Sequence, residues 1–95
     1  MKKRILFDEV AVTKDDGYGN GEECRVELAR YPPDGHGYAV AVLHMEHGEW
    51  NGRGGLKFGS IVERKLIDAD SAMTDAALIR EAIEEFDTFV GKFRE

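Results

Sequence analysis

Three histidines, one cysteine and a five-residue glycine cluster are the groups in this chain whose chemistry could go beyond packing. Gly17-Tyr18-Gly19-Asn20-Gly21 has the look of a phosphate loop. Such a loop works by opening a helix, so that the first helical N–H groups meet the anion. Here Glu22 and Glu23 follow, and after them a strand pattern. Two carboxylates repel phosphate, so the cluster reads as a strand connection. His44 and His47 stand three apart on a strand and therefore point to opposite faces. His44 shares its face with Glu46, and Arg25 is its expected cross-strand neighbour. Two ligands beside a cation do not make a metal site. The remaining histidine, His36, lies in a glycine- and proline-rich loop. Cys24 falls on an apolar strand face, where a thiol is inert. Ser60 and Ser71 have no His and acid partner in register. No catalytic residue, metal or cofactor is expected, and no small-molecule ligand is evident.

Two charged surfaces remain. Trp50, Arg53 and Lys57 surround a hairpin tip with an Arg-Gly-Gly triplet, and Lys2, Lys3 and Arg4 make the start of the chain basic. An aromatic ring and an Arg on such a tip could stack a base, but a cross-strand cation–π pair is the better reading of Trp50 and Arg53. Glu81, Glu84, Glu85 and Asp87 form an acidic surface on a helix, with Arg80 and Glu84 at ion-pair spacing. The net charge of −6 opposes phosphate overall. Residues 71–95 hold three cations against six acids, so the acidity is densest there.

The chain has 95 residues, a length suited to a single domain, and 42% of them are hydrophobic, enough for a core. One cysteine rules out an internal disulfide and a thiolate zinc site. No apolar run approaches the roughly 18 residues of a membrane span, and no signal-peptide pattern follows Met1. A cytoplasmic location is expected.

Nine of the eleven glycines fall in three clusters that divide the first two thirds of the chain into four strands. The first runs from Ile5 to Lys14, and its mixed pattern predicts a bulge near Asp8-Glu9 or burial on both faces. Cys24–Tyr31 alternates cleanly, Tyr38–Glu49 is mostly apolar, and the fourth strand covers Arg53 to Ile67. After it the period changes. Ala72, Ala76, Ile79, Ile83, Phe86, Val90 and Phe93 mark one helical stripe, widened by Ala82 and Phe89. Thr74 is the expected N-cap, Ser71 its rival, and Met73 with Leu78 the hydrophobic staple. Gly91 weakens the last turn. The predicted fold is α+β: a four-stranded antiparallel sheet in β-β-β-β-α order, with one amphipathic helix on one face. That order is similar to the order in unrelated small folds, including single-strand-binding coactivator domains, and topology alone carries no function.

Turn chemistry sets the expected registers. The loop after Tyr31 places Tyr31 against Tyr38, Leu28 against Ala41, Val26 against Leu43 and Cys24 against Met45. A two-residue Asn51-Gly52 turn places Trp50 against Arg53, Glu46 against Lys57, Met45 against Phe58, Leu43 against Ser60 and Ala41 against Val62. On the other parity it pairs Val42 with Ile61 and Val40 with Glu63. The helix face would then hold Cys24, Val26, Leu28, Ala41, Leu43, Met45, Phe58 and Val62. The opposite face would carry Tyr31, Tyr38, Val40, Val42 and Ile61, more apolar than a solvent face needs. The expected function is a small non-enzymatic interaction module, self-associating as a homodimer or binding another protein through that face. The alternatives are an acidic inhibitor or immunity-type protein using Glu81, Glu84, Glu85 and Asp87, or a single-strand nucleic-acid binder using Trp50, Arg53 and Lys57.

Overall fold

Alternation in the second and third strands, and glycines where the chain must turn, produce a meander. The computed structural model describes residues 3–15, 17, 21–32, 37–49 and 56–94, without the side chains of 49 and 56–58. Four strands, β1 (Arg4–Asp15), β2 (Gly21–Tyr31), β3 (Tyr38–Glu49) and β4 (Leu56–Asp68), precede one helix, α1 (Asp75–Gly91). They form one sheet in the order β1-β2-β3-β4, each neighbour antiparallel. The predicted β2–β3 register is the one observed, from Tyr31 opposite Tyr38 to Cys24 opposite Met45. Gly37 is required beside this ladder, because a Cβ there would run into the Tyr31 carbonyl and the Pro32 ring.

Cys24, Val26, Leu28, Ala39, Ala41, Leu43 and Met45 are buried on one face under α1. Leu78 and Ala82 pack over Leu28, Ala39 and Ala41, while Phe86, Phe89 and Val90 pack over Cys24, Val26, Leu43 and Met45. The Phe86 side chain sits within this second group, and its removal would cost about 3–5 kcal/mol. Thr74 caps α1 and accepts from the Ala77 N–H at 3.2 Å. Met73 and Leu78 pack in one cluster, as a staple requires.

Four expectations are corrected. In the β3–β4 ladder Met45 opposes Ile61, Leu43 opposes Glu63, Ala41 opposes Lys65, Val42 opposes Arg64 and Val40 opposes Leu66. The offset from the expected pairing is three residues, and an odd offset exchanges the two faces of β4. Ile61 therefore shares the helix-bearing face with Met45, and Val62 moves to the opposite face, across from His44. Near the turn the ladder pairs Gly48 with Lys57 and Glu49 with Leu56. The Asn51-Gly52 turn, Trp50, Arg53 and the side chains of Lys57 and Phe58 lie outside the described residues, as do Lys2, His36 and Tyr18–Asn20.

The bulges of β1 fall between Ile5 and Phe7 and between Val12 and Lys14, flanking the expected position. Because Leu6 is the extra residue, both Leu6 and Phe7 reach the core. The buried stripe of α1 is Leu78, Ala82, Phe86, Phe89 and Val90, rotated from the expected line; Ala72 and Ala76 are exposed, and Ile83 is mostly so. A helix turns its largest apolar groups to the sheet, and alanine methyls offer little area in return. Finally, Arg80 and Glu84 form no ion pair.

Arg30 shares its strand parity with Val26 and Leu28 and is 2% exposed. Its guanidinium donates to the Gly37 carbonyl at 3.0 Å, the Met73 carbonyl at 2.7 Å and Asp75 Oδ1 at 3.3 Å, and lies 3.7 Å from Asp68 Oδ2. Asp68 in turn accepts from the N–H groups of Asp70, Ala72 and Met73. Ser71, at φ +57°, donates from Oγ to the same Gly37 carbonyl at 2.6 Å. Arg4 holds Asp75 Oδ2 at 2.9 Å. One cation thus ties together β2, the start of β3, the end of β4 and the start of α1. Removing it would take the donor from the Met73 carbonyl and the cation from beside Asp68, which keeps its three N–H bonds; an unmet carbonyl costs about 1–3 kcal/mol.

These contacts lower two pKa values. Asp68 is held below the usual carboxylate range first by the Met73 N–H, with help from Ala72, Asp70 and Arg30. Asp75 is lowered first by its hydrogen bond from Arg4, then by Arg30. A lowered native value stabilises the fold above the unfolded value, near 3.9 for Asp, and that stability is lost as the pH falls through the native value. The urea midpoint is therefore expected to hold from pH 7 to about 5 and to fall below about 4. Asp68→Asn should lower the plateau and flatten the fall; identical acid profiles for the two proteins would contradict the network.

Candidate functional site

With α1 on one side, the other side of the sheet is bare, and the registers place its residues in rows across the strands. Ile5, Ala29, Val40 and Leu66 form an apolar row. Beside it run Asp8, Glu27, Val42 and Arg64, then Val10, Arg25, His44 and Val62, then Val12, Glu23, Glu46 and Ser60. Tyr31 and Tyr38 stack at the end of the sheet nearest the apolar row, rings 5.4 Å apart and 16° from parallel. The expected patch thus keeps Tyr31, Tyr38, Val40 and Val42 on one face. Ile61 leaves it, and Val62 and Leu66 join it.

Much of this apolar surface meets solvent. Leu66 is 61% exposed, Val12 59% and Val10 51%, with Ile5, Tyr38 and Val62 in the range of 42% to 48%. A trough of about 590 Å³ crosses the middle rows; Val42, Tyr31 and Val10 line it, with Asp8, Arg25, His44 and Arg64 around them. Its charges are mostly engaged within the chain. Lys3 pairs with Glu27, Arg25 with Glu23 at 2.9 Å, and His44 lies 3.5 Å from Glu46. Hydrogen bonding to Glu27 raises the Lys3 pKa, and hydrogen bonding to Glu23 does the same for Arg25. Across the face, Lys3, Arg25 and Arg64 stand against Asp8, Glu23, Glu27 and Glu46, close to charge balance. Such a face has little to offer a phosphate backbone.

Elsewhere, Glu81, Glu84 and Asp87 are exposed on α1 and Glu85 is half-buried. Among the described residues, no group of three or more His, Cys, Asp or Glu could hold a metal ion. No helix among them is long and apolar enough to cross a membrane. Comparison with protein-family models, curated proteins and solved structures returns no match, so function has to be argued from this geometry.

Sequence reasoning overlooked Leu66 and Val62 as surface groups and Arg30 as a structural one. The Arg30 signal was its parity with Val26 and Leu28. For β4 the adjacent apolar pair Ile61-Val62 presents one hydrophobe to each face in either register, so no signal was there to use.

Cys24 lies fully buried in the core. Burial pushes its thiol up first, and the Glu22 carboxylate adds to the effect. Its reaction with a thiol reagent at pH 8 is expected to be about a hundredfold or more slower in the native protein than in urea. Equal rates would show that α1 does not cover the sheet.

Proposed function

We propose that the protein is a non-enzymatic interaction module that self-associates through the open face of its sheet. The observation that carries this reading is the combination of exposed hydrophobes and near-neutral charge on that face. Isolated surface hydrophobes are ordinary, but Ile5, Val40, Val42, Val62 and Leu66 adjoin across the rows, with Ala29 between Ile5 and Val40, while Val10 and Val12 line the β1 edge beyond Arg25, His44, Glu23 and Glu46. Strands of 11 to 13 residues, at about 3.3 Å per residue and about 4.8 Å between strands, present roughly 760 Å². A standard interface takes roughly 800 Å² from each partner. A second copy of the chain matches that area, and two-fold pairing is the commonest form of association.

The lone thiol is buried beneath α1, and the Ser71 hydroxyl is committed to the Gly37 carbonyl. Both fit an interaction role better than nucleophilic catalysis.

Light scattering coupled to size exclusion tests the reading. The wild type is expected to have a dimer mass at high micromolar concentration, and Val42→Lys a monomer mass with an unchanged circular dichroism spectrum. A wild-type monomer at that concentration, or a Val42→Lys protein as dimeric as the wild type, would remove the proposal.

A further inference from the structure

Resting on that reading, we infer that two copies stack face to face about a two-fold axis parallel to the strands, joined by reciprocal Asp8–Arg64 ion pairs. Two charges on the open face are left over among the described residues. Asp8 and Arg64 are exposed, and neither has an ion-pair or hydrogen-bond partner among the described residues. They occupy one row across the sheet, Asp8-Glu27-Val42-Arg64, at its two opposite edges. Within one copy the width of the sheet separates them.

An in-plane axis along the strands, between β2 and β3, keeps each row level with itself and exchanges its ends. Asp8 then faces Arg64 of the second copy, and Arg64 faces its Asp8. The same operation sets Ile5 against Leu66 and Val10 against Val62, apolar on apolar. Sheets stacked in aligned fashion lie about 10 Å apart, a gap that a long Arg and a short Asp can span between them. Arg64 of the second copy would enter the end of the trough that holds Asp8 and Glu27. The axis also sets Arg25 against His44, Glu23 against Glu46 and Glu27 against Val42 of the second copy; Glu23 keeps Arg25, Glu46 keeps His44 and Glu27 keeps Lys3 within its own chain. An axis across the strands is worse. It sets Ala29 and Val40 against Glu23 and Glu46, and it leaves Asp8 and Arg64 facing Val10 and Val62, so that neither charge gains a partner.

The pairing predicts partner choice. Asp8→Arg alone places two cations face to face at both ends, and Arg64→Asp alone places two anions there. Each variant is expected to lose about tenfold or more in dimer affinity while keeping the monomer's thermal midpoint. Mixed one to one, the variants restore both pairs, so native mass spectrometry should show mostly heterodimer, with affinity within about threefold of the wild type. Asp8→Asn and Arg64→Gln give an independent check, since each should weaken the dimer without repulsion. A dimeric wild type whose two reversed variants form no excess heterodimer, or whose neutral variants dimerise like the wild type, overturns the ion pair and its axis while the open-face reading stands. A wild type that is monomeric throughout overturns both.

Discussion

A buried guanidinium governs the arrangement. Arg30 has no route to water, and its donors are met by two backbone carbonyls and the Asp75 carboxylate, with Asp68 beside them. A charge taken out of solvent in this way is tolerated only when its partners are held in place. The partners come from the start of β3 and the approach to α1, so the helix must begin at the Ala39 end of the sheet and run toward Cys24 and Met45. That course covers the centre of one face. Among the described residues there is no second helix to cover the other face, and the open side of the sheet follows from the same constraint that anchors the core.

The legibility of the fold varied with how tightly local chemistry constrained each element. The β2–β3 ladder could be read because Tyr31 and Tyr38 flank a short loop and the alternation of Cys24, Val26 and Leu28 fits only one parity. The β3–β4 ladder could not. Its strand is apolar on both parities around Ile61-Val62, and its charges, Glu63, Arg64 and Lys65, fall on both faces as well. The position of the turn was the one remaining cue, and an error of three residues there exchanged the faces of β4 from Ser60 to Leu66. The helix was found with its cap, but its stripe was read too evenly: Leu78 and Phe89, the bulkiest groups near the axis, take the centre, and the alanines at 72 and 76 yield it.

Correcting β4 changed the candidate face more than it changed the fold. Ile61 left and Val62 and Leu66 arrived, so the exposed apolar surface now reaches the edge strand, and Arg64 sits in line with Asp8. Edge strands of this length invite pairing with other chains. Here the charges of β4 are split between its two faces, and on the open side Val62 and Leu66 adjoin Val40 and Val42. The acidic helix contributes to solubility on the far side, away from that surface.

Isotope-filtered nuclear Overhauser spectroscopy on an equal mixture of labelled and unlabelled protein tests the central claim most directly, because it reads which surfaces touch between copies. The account predicts intermolecular contacts between the methyl groups of Val10 and Val62 and between those of Ile5 and Leu66, with none from Ile83 on the helix. Intermolecular contacts confined to α1, or to the β4 edge without the open face, would contradict it.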